Sequence, residues 1–115
     1  MAASCIFCRI AAGELGTEFV HEDDVCVAFR DLNPQAPTHA LLIPRLHTDN
    51  IAATSPSDEV MLGHLLAVAP RVAERLGLGE SGFRLVINSG PDGGQSVDHL
   101  HVHILGGRRM AWPPG

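Results

Sequence analysis

Between positions 99 and 105 the chain reads His-Leu-His-Val-His-Ile-Leu, so His99, His101 and His103 alternate strictly with Leu100, Val102 and Ile104. An extended strand sends successive side chains to opposite faces. The spacing therefore predicts three imidazoles on one face, about 6–7 Å apart along the strand, and three aliphatic residues on the other. An imidazole exchanges protons near neutral pH, attacks electrophiles and ligates metals. Three readings follow. A lone strand histidine is commonly a hydrogen-bonded core residue, which poorly explains three in alternation. A His-x-His pair could set two nitrogens on one Zn²⁺ at about 2.0–2.1 Å. A neutral imidazole could instead attack phosphorus and form a phospho-histidine, splitting one hard displacement into two easier ones.

The preceding residues favour the third reading. Gly93-Gly94-Gln95-Ser96 stands just before the histidines. Glycine lets consecutive backbone N–H groups converge on an anion, and Ser96 adds a hydroxyl donor. Phosphate-binding groups and an imidazole nucleophile thus fall between Gly94 and His101. Two further features bear chemistry. Cys5-x-x-Cys8 has the spacing of half a zinc site, or of a buried thiol pair at the start of a short N-terminal helix. His21 and His64 read as surface or partly exposed residues, and Asp92 as a turn former.

These residues need a scaffold. Phe19–His21 and Val25–Arg30 read as short strands around the polar turn Glu22-Asp23-Asp24. Two prolines fix the loop Asp31–Pro37. Ala40–Pro44 is continuously apolar and reads as a central strand. Ser55-Pro56 opens the main helix, with Asp58 and Glu59 suited to its positive end. Met61, Leu62, Leu65, Leu66, Val68, Ala69, Val72 and Leu76 follow helical spacing, Gly77 stops the run, and Pro70 predicts a weakened turn near Leu66. Phe83–Asn88 is a further strand, and Gly90–Ser96 a glycine-rich loop. The expected fold is α+β: a five-stranded, mainly antiparallel sheet, one main helix and a short N-terminal helix, in a single domain over residues 1–115. So small a core would gain from oligomerisation, and the tail with the single tryptophan, Trp112-Pro113-Pro114-Gly115, could dock on a partner subunit.

Composition narrows the function. The chain has 115 residues, 45% of them hydrophobic, and a net charge of −5. No cationic cluster exceeds Arg108-Arg109, which argues against long nucleic acid as a partner but leaves a single nucleotide open. No apolar run approaches the roughly 20 residues of a membrane span, and the first residues lack a signal-peptide pattern. Three cysteines, an odd number, do not suggest a disulfide framework. A cytoplasmic protein is expected, with Cys26 an inert packed thiol.

The segment Gly93–Arg108 closely resembles the signature of the histidine triad (HIT) superfamily. Asn33-Pro34-Gln35-Ala36-Pro37-Thr38-His39, then Leu42-Ile43-Pro44-Arg45 and His47, is similar to the N-terminal half of the same family, and Met110–Gly115 resembles the branch of histidine triad nucleotide-binding proteins. The resemblance implies a homodimer whose sheets join into one of ten strands, with Trp112 near the partner subunit. It implies a purine nucleotide (AMP-like) site and hydrolysis of nucleoside 5'-phosphoramidates through a covalent nucleotidyl-histidine. By position, His101 is the nucleophile, with His39, His99, His103 and Ser96 as its catalytic partners. Phe29, Asp31 and Leu32 match the base and ribose pocket. Asn88, Gly94, Gln95 and Ser96, with His101 and His103, match phosphate and ribose contacts.

Some members of the family bind zinc. The matching ligands here are Cys5, Cys8, His47 and His99, a closed, structural set that would leave His99 to orient His101. Asp98 departs from the aromatic residue familiar at its position, which puts leaving-group preference in doubt. Cleavage of dinucleoside polyphosphates is an alternative, though Gly106-Gly107-Arg108 and the Trp-Pro-Pro-Gly tail do not suit it. A non-enzymatic nucleotide sensor or scaffold is another. Nucleotidyl transfer to a sugar phosphate and a zinc carrier are weaker readings.

Overall fold

A computed structural model describes residues 4–115. Helix α1 (Ile6–Ala11) precedes strands β1 (His21–Glu22), β2 (Cys26–Arg30) and β3 (Thr38–Pro44). Helix α2 (Glu59–Arg75), β4 (Phe83–Val86), a one-turn helix α3 (Gly90–Gly93) and β5 (Val102–Gly106) complete the chain. The five strands form one antiparallel sheet in the order β1-β2-β3-β5-β4. As expected from its unbroken apolar run, β3 is central, and six of its seven residues are buried.

Strand alternation divides the core in two. Cys26, Ala28, Ala40, Leu42, Leu100, Val102 and Ile104 pack with Leu65, Val68, Ala69, Val72 and Ala73 of α2. Val27, Phe29, Leu41 and Ile43 pack on the opposite face with Phe7, Ile10 and Ala11 of α1. The short N-terminal helix is therefore the second layer over the sheet. It covers the face that carries the histidines.

Several boundaries differ from the sequence reading. The first strand lies at His21–Glu22, paired with Ala28 and Val27, rather than at Phe19–His21. The strand after α2 ends at Val86 rather than Asn88. The main helix begins at Glu59, after a separate 3-10 turn at Pro56–Asp58 in which the Asp58 carboxylate accepts the Ser55 N–H at 2.9 Å. It continues through Pro70. The carbonyl of Leu66, which loses its partner there, belongs to an exposed residue, so water can take that bond. Past the helix end, Gly77 turns the chain at φ +80°, which suits glycine.

The histidine segment is not one continuous strand. The His99 N–H bonds to the Val97 carbonyl at 2.9 Å and the Leu100 N–H to the Thr48 carbonyl at 2.7 Å, so the β3 ladder begins only at Val102. The division of faces survives: Leu100, Val102 and Ile104 enter the α2 core. Among the described residues no helix is long and apolar enough to cross a membrane.

Candidate active site and metal centre

His101 is 4% exposed. Its Nδ1 lies 2.6 Å from the His99 carbonyl oxygen. A carbonyl only accepts, so Nδ1 carries the proton and the neutral ring keeps a lone pair on Nε2. The edge of this ring meets the Phe7 ring at 5.2 Å between centroids and 85° between planes. His101 lines a cleft of about 1100 Å³ between α1, the loop after β2 and the glycine-rich segment.

His39 and His103 are brought together by the β3–β5 register. Leu41 faces His103 and His39 faces Leu105, so the two histidines are diagonal neighbours on one face. The Gln35 N–H donates to His39 Nδ1 at 3.0 Å. His39 must then carry its proton on Nε2, which lies 2.9 Å from His103 Nδ1 and 3.5 Å from Asp31 Oδ2. His103 accepts on Nδ1 and holds its proton on Nε2. Burial, then the neighbouring His101 and His39, push His103 down to about 4, against a weaker opposing pull from Asp31. Burial also lowers His39. Both rings are thus neutral near pH 7, each with one fixed N–H, a preorganised row of donors suited to developing phosphoryl charge.

Asp31, Leu32, Phe29, Asn88, Gly94 and Ser96 all line the same cleft. Leu32 is 99% exposed, so it stands at the rim. The segment read as a loop contains α3, capped by Gly94 at φ +79°. Gln95 is used differently: its Oε1 accepts the Gly90 N–H at 3.0 Å, and its Nε2 donates to the Asp49 and Val97 carbonyls at 2.6 and 2.9 Å. Its side chain holds the loop in shape and does not border the cleft.

The His99 side chain leaves the cleft and meets Cys5, Cys8 and His47. Its Nε2 donates to the Pro44 carbonyl at 2.8 Å, and His47 Nε2 donates to Asp49 Oδ1 at 2.9 Å. In the neutral rings that leaves both Nδ1 atoms, 3.2 Å apart, with lone pairs turned towards the two cysteines. Cys5 Sγ stands 3.4 Å from His99 Nδ1, and Cys8 Sγ stands 3.3 and 3.5 Å from the His47 and His99 Nδ1 atoms. Tetrahedral zinc with bonds of about 2.05 Å to nitrogen and 2.3 Å to sulfur separates its ligands by roughly 3.3–3.7 Å. The donor set fits zinc, and each imidazole already has the outer acceptor that such ligands use.

Residues not singled out from the sequence complete the site. Phe7 also meets Phe29 and His99 edge-on, at 5.8 and 5.9 Å. Asp49 and the Pro44 carbonyl orient the two metal-facing rings. On the other face of the sheet, Asp23 Oδ2 accepts from His21 Nε2 at 2.7 Å and His64 Nε2 at 2.8 Å. His21 is thus not the surface residue its acidic neighbours suggested; its side chain is 11% exposed. Asp23 Oδ1 meanwhile accepts the Val25 and Cys26 N–H groups. These four bonds outweigh the opposing effect of burial and hold the Asp23 carboxyl well below its usual range.

A HIT domain model matches residues 12–110. An uncharacterized HIT-like protein of Synechocystis sp. is 53% identical over 115 residues, covering 100% of both chains. A 14 kDa zinc-binding protein of Zea mays is 51% identical over 113 residues, covering 96% of this chain and 87% of its own. The crystal structure of a HIT family hydrolase from Legionella pneumophila superposes with a TM-score of 0.93 at 48% identity, covering 97% of this chain and 100% of that one.

Proposed function

The chain belongs to the HIT family, and from that premise we propose that it hydrolyses the P–N bond of purine nucleoside 5'-phosphoramidates and releases AMP. The observation that carries this reading is the 2.6 Å bond from His101 Nδ1 to the His99 carbonyl, which leaves Nε2 as a free nucleophile in a cleft shared with His39 and His103.

In the first step His101 Nε2 attacks the α-phosphorus. The P–N bond breaks, and the amine leaves with a proton delivered by a neighbouring histidine or through Ser96. The His103 Nε2–H and the Ser96 hydroxyl stabilise the phosphoryl oxygens. In the second step water attacks the nucleotidyl-histidine, and AMP departs. Phe29 and Leu32 border the base, and Asp31 accepts the ribose hydroxyls.

Cys5, Cys8, His47 and His99 would hold a zinc ion, whose contribution is a structural cross-link between α1 and the histidine segment. The relative named for zinc binding supports this assignment. A homodimer built on the edge strand β4 also fits. Trp112 is 80% exposed beside that edge, its ring 5.8 Å from the Arg84 guanidinium.

The test is steady-state hydrolysis of a fluorogenic adenosine phosphoramidate, set beside AMP binding. Rapid turnover supports the reading. Tight AMP binding with negligible turnover by the wild-type chain overturns it in favour of a nucleotide sensor.

A further inference from the structure

We propose that Cys5 and Cys8 form a redox-modification site, closed to a disulfide by a peroxide, and that its state sets the position of His101 through Phe7 and His99. The coupling to turnover rests on the reading of His101 as nucleophile; the modification itself does not.

The two sulfurs and the two Nδ1 atoms lie within 4.8 Å of one another. A disulfide needs its sulfurs about 2.05 Å apart, so closure draws them towards each other and away from the rings. Both cysteines are only half-buried, which admits a small oxidant. Cys5 caps α1 and its sulfur accepts the Cys8 N–H at 3.4 Å, so the two thiols already belong to one turn. The third cysteine is a built-in contrast. Cys26 is fully buried on the other face of the sheet, packed among the residues under α2, where peroxide has no access to its sulfur.

The step balances with hydrogen peroxide as oxidant. One sulfur takes a hydroxyl from the peroxide to become a sulfenic acid, and the peroxide's other oxygen leaves as water. The second sulfur then forms the S–S bond and expels the hydroxyl as a second water. Two electrons pass from the sulfurs to the peroxide. Closure also removes two of the four metal donors.

Two contacts carry the change to the nucleophile. Phe7 lies inside the closed Cys5–Cys8 loop and packs edge-on against His101. The His99 ring stands 3.4 and 3.5 Å from the two sulfurs, while its carbonyl fixes His101 Nδ1. Phe7 and His99 are thus positioning residues for His101, and both move with the sulfurs.

The experiment treats the reduced, zinc-loaded full chain with hydrogen peroxide. It reads free thiols, peptide masses, released zinc, the His101 ring resonances by NMR and phosphoramidate turnover. We expect thiols to fall from three per chain to one, with a Cys5–Cys8 peptide lighter by two hydrogens. Zinc should be released in step, the His101 ring resonances should shift, and turnover should fall about tenfold, the scale of a lost outer-shell partner. Dithiothreitol with zinc should restore all of these, and Cys26→Ala should respond as wild type does. The proposal is overturned if peroxide takes either thiol to a sulfinic acid without a disulfide. It is equally overturned if the disulfide leaves the His101 resonances unmoved, or if Cys5→Ser/Cys8→Ser loses turnover to peroxide as fast as wild type. A reduced chain without turnover would count against the phosphoramidase reading alone, and one without zinc against the metal assignment alone; the peptide masses and His101 resonances would still decide this one.

Discussion

His39 Nε2 lies 2.9 Å from His103 Nδ1, and only one of these atoms can carry a proton. The Gln35 N–H assigns it to His39, so one backbone amide at the start of the row fixes the direction of every donor after it. His39→Ala removes the partner that orients His103. Turnover is expected to fall about 10- to 100-fold while AMP still binds. Comparing kcat with the AMP dissociation constant checks this; an unchanged kcat would show that His103 needs no orientation.

His101→Ala removes the proposed nucleophile and leaves the rest of the cleft in place. Turnover should drop by about 10⁴-fold or more, with AMP binding retained. Mass spectrometry of a rapidly quenched wild-type reaction should find the nucleotidyl adduct on His101 and none in the variant. An active His101→Ala chain would end the mechanism.

The histidine row should make stability depend on pH with a definite sign. An unfolded histidine protonates near its ordinary value of 6.5, whereas folded His103 resists protonation down to about 4. Between those values the unfolded chain binds a proton that the folded chain refuses, so stability rises with pH across this window. The contribution is complete above about 6.5 and is lost as pH falls to about 4. His39, lowered in the same direction, adds to the slope. Denaturant midpoints measured from pH 4 to 7.5 should show this slope, and His103→Asn should flatten it.

Zinc should stabilise the chain through its four donors. Free zinc at about 100 times its dissociation constant adds about 2.7 kcal/mol to the native state, or roughly 10 °C in Tm for a chain of this size. Calorimetry with and without zinc should show that rise in wild type and none in Cys5→Ser/Cys8→Ser. No rise in wild type would remove the zinc assignment.

Gly107 has φ +90°, and a Cβ there would stand 2.8 Å from Pro37 Cβ and 3.3 Å from the Thr38 nitrogen. Gly107→Ala combines a disfavoured backbone with contact against a rigid ring and backbone. It should cost about 2–4 kcal/mol, read as a lower urea midpoint with an unchanged slope.

The parts of this design that sequence revealed are those set by local pattern. Alternation assigned Leu100, Val102 and Ile104 to the core and the histidines to the other face, and it did so although His99 lies outside the ladder. The unbroken run Ala40–Pro44 placed the central strand. What pattern missed depends on contacts between distant segments. Nothing adjacent to Phe7 indicates that its ring meets Phe29, His99 and His101, because those neighbours arrive from β2 and the β5 region. Gly90-Pro91-Asp92-Gly93 has the composition of a turn, and its single helical turn exists because Gln95 bonds back to Gly90. His21 reads as solvated beside three acids, yet Asp23 turns inward to meet both His21 and His64. The resemblance named the cleft and metal residues together, and the geometry separates them: His101 and His103 border the cleft, while the His99 ring faces the cysteines.

The three bonds of the Gln95 side chain fix the shape of the glycine-rich turn. A flexible glycine loop would surrender backbone entropy on each encounter, about 1–2 kcal/mol for every residue it had to freeze. Here that ordering belongs to folding, so the proposed binding of a nucleotide phosphate would not repeat it. Nucleotide association would then be a lock-and-key event whose speed is set by diffusion into the cleft rather than by waiting for a loop to close.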